Sequence, residues 1–199
     1  MALPRGFYLR PAPTVARDLL GCVLVSRRGR AVTAGRIVET EAYLGPEDEA
    51  SHAAFRPGSR GFFYGEGGIA YVFSAYGLHA CLNAIAERAG RPGCVLIRAL
   101  EPVTGLRVMA RRRGVPAPSR RLASGPGNVT RALGIGTRDK GADLVTGRLT
   151  IEAPDRPREF RIVRGPRIGI TRSRARPLRF WIDGNAYVSR RSSKNQRTS

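Results

Sequence analysis

The run RIVETEAY, Arg36 to Tyr43, places Glu41 two residues after Glu39 and two before Tyr43. If this run is extended, all three side chains share one face of a strand. A carboxylate set on a strand beside a ring is unusual unless it serves as an acid, a base or an electrostatic partner. Five of the fifteen acids, Glu39, Glu41, Glu47, Asp48 and Glu49, fall within 11 residues. Glu47, Asp48 and Glu49 follow Gly45 and Pro46 and read as solvated or helix-capping groups. Glu41 is left as the acid with a candidate chemical role.

The rest of the inventory narrows the mechanisms. Only two histidines, His52 and His79, are present, so a histidine-rich zinc site is not expected. HExxH, paired CxxC and the zinc-deaminase pattern are missing, as are a GxSxG elbow and a phosphate-binding Walker loop. Lys140, in the polar run TRDKGAD, and Lys194, near the end, are the only lysines, which argues against a buried Schiff-base lysine and for water as nucleophile. A magnesium nuclease built on Glu39, Glu41, Asp48 and Glu49 stays open at this point. Cys22, Cys81 and Cys94 are odd in number and lie in apolar runs, which predicts reduced, buried thiols.

The elements that must position these residues can be read from pattern. Thr14 is expected to cap a short helix to about Leu20, followed by a strand Gly21 to Ser26, a turn Arg27 to Arg30, and a second hairpin strand Ala31 to Tyr43. A long loop, Leu44 to Gly68, leads to a strand Ala70 to Ala75, a turn at Tyr76 and Gly77, and a return strand His79 to Ile85. Cys94 to Leu100 reads as a buried strand, and Pro102 as the first residue of a helix reaching Arg112. A basic loop, Arg113 to Arg121, and a short helix after Gly125 and Pro126 come next. Strands are expected near Arg148 to Glu152, Phe160 to Arg164, Arg167 to Thr171 and Leu178 to Ile182. Hairpins outnumber crossovers, so the predicted fold is α+β: one domain, residues 1–189, with a curved, mainly antiparallel sheet, a protruding hairpin and peripheral helices. The polar stretch 190–199 reads as a basic disordered tail.

Charge names the partner. Thirty-five basic and fifteen acidic residues leave +20, and all but two of the cations are arginine, whose planar fork grips phosphate. Nucleic acid is the expected partner; no basic amphipathic helix points to an anionic membrane. The start, MALPRGFYLRPAP, lacks the apolar core of a secretory signal, which predicts a cytoplasmic protein, or a nuclear one in a eukaryote. Tyr76, at the tip of the predicted hairpin, is placed as a wedge into a base stack. The run LGIGTRDKGAD, Leu133 to Asp143, is superficially like a helix-hairpin-helix hairpin but lacks its preceding Pro-Gly.

The stretch Arg36 to Phe55, RIVETEAYLGPEDEASHAAF, closely resembles the signature of the alkyladenine (3-methyladenine) DNA glycosylase family. Similar blocks follow at Tyr71 to Asn83, Gly93 to Pro102, Ser124 to Ile135, Gly165 to Ile170 and Arg176 to Ser189. The resemblance implies a monofunctional glycosylase that removes damaged purines from duplex DNA as a monomer, with no cofactor and no lyase step. It implies that Glu41 is the general base for water, held with Arg98 and the Ile168 carbonyl. Tyr43 and His52 would wall the flipped base, with Phe73 where a tyrosine can stand. The backbone at Ser51 and His52 would read the base edge, and Asn83 would clash with the guanine amino group. Tyr76 would fill the gap in the duplex, with Leu78 and His79 beside it. A non-enzymatic basic nucleic-acid binder is the alternative from another class.

Overall fold

The structure, a computed structural model, describes residues 1–75, 77–154 and 159–189. Helices α1 (Arg5–Tyr8) and α2 (Ala12–Asp18) precede a hairpin of β1 (Val23–Arg28) and β2 (Ala31–Tyr43). Short helices α3 (His52–Phe55) and α4 (Arg60–Phe63) lead to a second hairpin, β3 (Ala70–Ala75) and β4 (His79–Ile85). Then come β5 (Cys94–Thr104), α5 (Leu106–Arg113), α6 (Pro126–Leu133), β6 (Leu149–Glu152), β7 (Ile162–Gly165) and β8 (Arg179–Ile182). The protein is α+β, its strands forming one curled antiparallel half-barrel sheet. Strand order is β3-β4-β5-β2-β1-β6, with β8 on β2 and β7 on β8.

The 13-residue β2 is the spine. One of its edges runs along β5. The other pairs with β1 up to Arg36 and with β8 from Glu39 to Glu41. The changeover coincides with register shifts between Ile37 and Thr40, the kind of irregularity that bends a strand and re-aims its side chains.

Period-two alternation then splits the sheet into two faces. Val72, Leu82, Ala84, Val95, Ile97 and Ala42 enter the main apolar core with Ala12, Val15 and Ala16 of α2 and Val129, Ala132 and Leu133 of α6. Thr40 is anchored on this side, its hydroxyl donating to the Ala16 carbonyl at 2.8 Å. The intervening residues of the same strands, Tyr71, Phe73, Cys81, Asn83, Leu96, Arg98 and Tyr43, line a cleft on the opposite face. The three cysteines are buried, as expected.

Several boundaries differ from the sequence expectation, each for a local reason. Pro11 and Pro13 open α2, since proline is tolerated in a first turn, so Thr14 lies inside the helix instead of capping it. The first strand is Val23–Arg28, two residues later than expected, and the turn shrinks to Gly29 and Arg30. The loop from Leu44 to Gly68 contains α3 and α4. Pro102 lies in β5 and starts no helix. The Leu100 N–H donates to Ala123 on the side away from β2, so Pro102, two residues on, turns its donorless nitrogen to an edge that β4 does not reach. The helix begins after Gly105, whose left-handed backbone (φ 77°) ends the strand. Arg167 to Thr171 form no strand, because Gly169 adopts φ 77° and the chain there serves the cleft. Tyr76 and residues 190–199, read as wedge and tail, lie outside the described residues.

Candidate active site

Glu41 is fully buried beneath the cleft, between β5 and β8. Its Oε2 accepts from the Tyr43 hydroxyl at 2.9 Å and from Arg98 Nη1 at 3.3 Å; its Oε1 accepts from the Ile168 amide at 2.8 Å. A carboxylate offers about four acceptor positions, so one on Oε1 stays open. Tyr43, Arg98 and Ile168 all line the cleft, leaving Glu41 one hydrogen bond behind its wall. The group of Ile168 that bonds Glu41 is its amide N–H, whereas the resemblance implied a part for its carbonyl. Burial, the Glu41 charge and the bond to Glu41 push the Tyr43 phenol far above its usual range, so it is a neutral donor.

The cleft encloses about 890 Å³ and is walled by rings. His52 begins α3, where the Ser51 hydroxyl caps by accepting from the Ala53 amide at 3.2 Å. The imidazole lies 4.4 Å from the Phe73 ring and 5.1 Å from Phe55, centroid to centroid, and its Nδ1 is 3.0 Å from the Tyr71 hydroxyl. Burial, with the Arg56 guanidinium second, brings His52 down to about 4. The ring is therefore neutral at pH 7, and the Tyr71 contact uses one of its nitrogens. Asn83 is fixed by its neighbours: Nδ2 donates to the Tyr71 carbonyl at 3.2 Å, and Oδ1 accepts from Cys94 Sγ at 3.7 Å. At the hairpin end, Leu78 is 78% exposed and His79 is exposed, its side chain set against Gly127 of α6.

The structure thus brings Glu41, Tyr43, His52, Phe73, Asn83, Arg98 and Ile168 around one cleft, with Ser51 behind His52. Leu78 and His79 sit on the hairpin beyond it. Three groups were missed. Tyr71 shares the Phe73 face by the same two-residue spacing, a signal that was available. Asp48, read as solvated or capping, is fully buried in a two-pronged pair with Arg167, at 2.6 and 2.7 Å. Burial alone would raise the Asp48 carboxyl, but the Arg167 bonds and the amides of Leu44 and Ala50 outweigh it and hold it below the usual range. Arg167 also lies 4.5 Å from the Tyr43 ring centre and so fixes the turn that presents Ile168. Glu39 faces Arg98, Arg179 and Ser189. These partners lie 119 to 150 residues away in the chain, except for Arg98, and no local pattern marks them.

The acids named for a metal-dependent nuclease do not converge. Glu39 and Glu41 bond arginines, Asp48 is paired with Arg167, and Glu49 is exposed. Among the described residues no helix is long and apolar enough to cross a membrane.

Known proteins match the chain over nearly its whole length. The family described as methylpurine-DNA glycosylase matches residues 6–186. A protein of Methanoculleus marisnigri is 48% identical over 195 residues, covering 96% of this chain and 100% of its own length. One from Koribacter versatilis is 44% identical over 191 residues (94% and 92%), and one from Bacillus licheniformis 43% over 193 (94% and 96%). Each of the three carries the name "Putative 3-methyladenine DNA glycosylase".

Proposed function

Since the chain belongs to the methylpurine-DNA glycosylase family and is accordingly a DNA glycosylase of DNA repair, we propose that it removes alkylated purines, and deaminated ones such as hypoxanthine, through a water activated by Glu41. The observation that carries the reading is the open acceptor position on Glu41 beneath a ring-walled cleft.

A damaged purine turned out of the duplex enters between Tyr43, His52 and Phe73. Alkylation at N3 or N7 makes the base cationic, and ring faces attract it by about 0.5 to 2 kcal/mol per contact. His52, being neutral, adds no repulsion. Damaged or mispaired bases also cost less to unstack, so selection begins before the cleft is reached. The bond from C1′ to the purine nitrogen breaks with its electron pair leaving on the base: a cationic purine departs neutral, whereas hypoxanthine departs as an anion that takes a proton from solvent. The sugar passes through an oxocarbenium-like state that the buried carboxylate stabilises. Water adds to C1′ while Glu41 takes its proton, giving an abasic site. Asn83, held in one amide orientation, meets the base edge where guanine carries its 2-amino group and so disfavours undamaged guanine. Phe73 supplies a stacking face without a phenol donor.

The test uses a duplex with a single hypoxanthine or methylpurine, incubated in EDTA and then scored for alkali-labile sites. The wild-type chain releases base. Glu41→Gln releases none while still binding a duplex that carries an abasic-site analogue. Retained turnover in Glu41→Gln removes that residue from the role, and strand cuts that vanish in EDTA would instead mark a nuclease.

A further inference from the structure

Glu39 precedes Glu41 by two residues on the same sheet face, is equally buried, and has no part in the reaction above. Burying a second carboxylate there is costly unless charged donors surround it. They do. Its Oε1 accepts from Arg98 Nε at 3.1 Å, Arg179 Nε at 2.6 Å and the Ser189 hydroxyl at 2.9 Å; its Oε2 accepts from the Ser189 amide at 2.7 Å. Arg98 and Arg179 are themselves buried, so two carboxylates and two guanidinium groups form an enclosed cluster of zero net charge. Arg98 is divided within it: Nε goes to Glu39, Nη1 to Glu41 and Nη2 to the Ser189 hydroxyl at 3.4 Å.

This division matters because arginine closes on a carboxylate with two parallel donors when it is free to do so. Fork-to-fork closure on Glu41 would occupy the acceptor position a water needs and would neutralise the base. We propose that Glu39 is a positioning residue that holds Arg98 to a single bond with Glu41, and that Ser189 is the latch of this arrangement. The proposal rests on Glu41 being the base. It gives the end of the described chain a share in catalysis, since β8 supplies Arg179 and Ser189 follows seven residues after Ile182.

Glu39→Gln keeps the shape and removes the charge. Single-turnover base release should fall at least tenfold, while affinity for an abasic-site duplex stays within about twofold. In an Arg98→Ala background Glu39→Gln should add little, because there is nothing left to restrain. Ser189→Ala, a milder change that spares the buried charges, should lower the rate of base release by less while leaving abasic-site affinity unchanged, and it decides the matter if Glu39→Gln does not fold. Wild-type rates, equal losses of binding and turnover, or an undiminished effect without Arg98 would each overturn the proposal. Glu41→Gln run alongside separates the two readings: an active Glu41→Gln defeats the base assignment itself, whereas an inactive Glu41→Gln beside a fully active Glu39→Gln defeats only the positioning role.

Discussion

Burial of His52 beside Arg56 has a consequence for stability that can be signed. In the folded protein the ring takes a proton only near pH 4, whereas in the unfolded chain it does so near 6.5. Between those values the unfolded state binds more protons, so stability falls as the pH drops from 6.5 to 4, by about 3 kcal/mol in all, and is unaffected by this group above 6.5. Urea titrations across that range should show the wild-type slope flattened in His52→Phe; parallel slopes would refute the assignment. Glu41, with Tyr43 on its face, was legible from residue type and two-residue spacing, whereas His52, Phe73, Asn83 and Arg98 entered as cleft residues through the family resemblance. Their bonds were not legible, because burial and partner are properties of the assembled sheet. Glu41 could be singled out in the sequence; that the Ile168 N–H, 127 residues on, would bond its Oε1 could not.

Hairpins declare themselves locally, and Ala31–Tyr43, Ala70–Ala75 and His79–Ile85 were read to the residue. Elements whose form depends on distant partners were not. Arg167 to Thr171 reads as β-branched and extended, yet its side chains and amides are committed to Asp48, Ala42 and Glu41. Pro102 looks like a helix start until the neighbouring edge is seen to be empty. The Asp48–Arg167 pair is the tie that holds the turn after β7 against β2, and both side chains are fully enclosed. Asp48→Asn leaves a buried guanidinium without its counter-charge, which should cost about 3–5 kcal/mol in urea unfolding. Asp48→Leu combined with Arg167→Met should recover much of that loss, since an apolar pair has no charge to desolvate. A single variant within about 1 kcal/mol of wild type would show that the tie carries little.

Across the whole molecule, a charge of +20 sets how the protein meets DNA before any base is read. Phosphate contacts release counterions, so the logarithm of the binding constant falls linearly with the logarithm of salt concentration, by about 0.9 per contact. Residues 190–199 contain four cations, Arg190, Arg191, Lys194 and Arg197. We propose that residues 1–189 form the catalytic unit and that the remaining residues add only electrostatic affinity. Removing them should lower the salt slope by at most about 0.9 per cation and leave the ratio of affinities for damaged and undamaged duplex unchanged. A changed ratio would place lesion recognition partly in those residues.

The strand that carries Glu41 is hydrogen-bonded along both edges, to β5 on one side and to β1 and then β8 on the other. Such a strand has no free side from which to fray, and displacing it means dismantling three neighbours together. The acid therefore keeps its place for as long as the protein stays folded. With Glu41 as the proposed base, every encounter during a search through long stretches of intact DNA is made by a molecule whose reactive centre is already assembled.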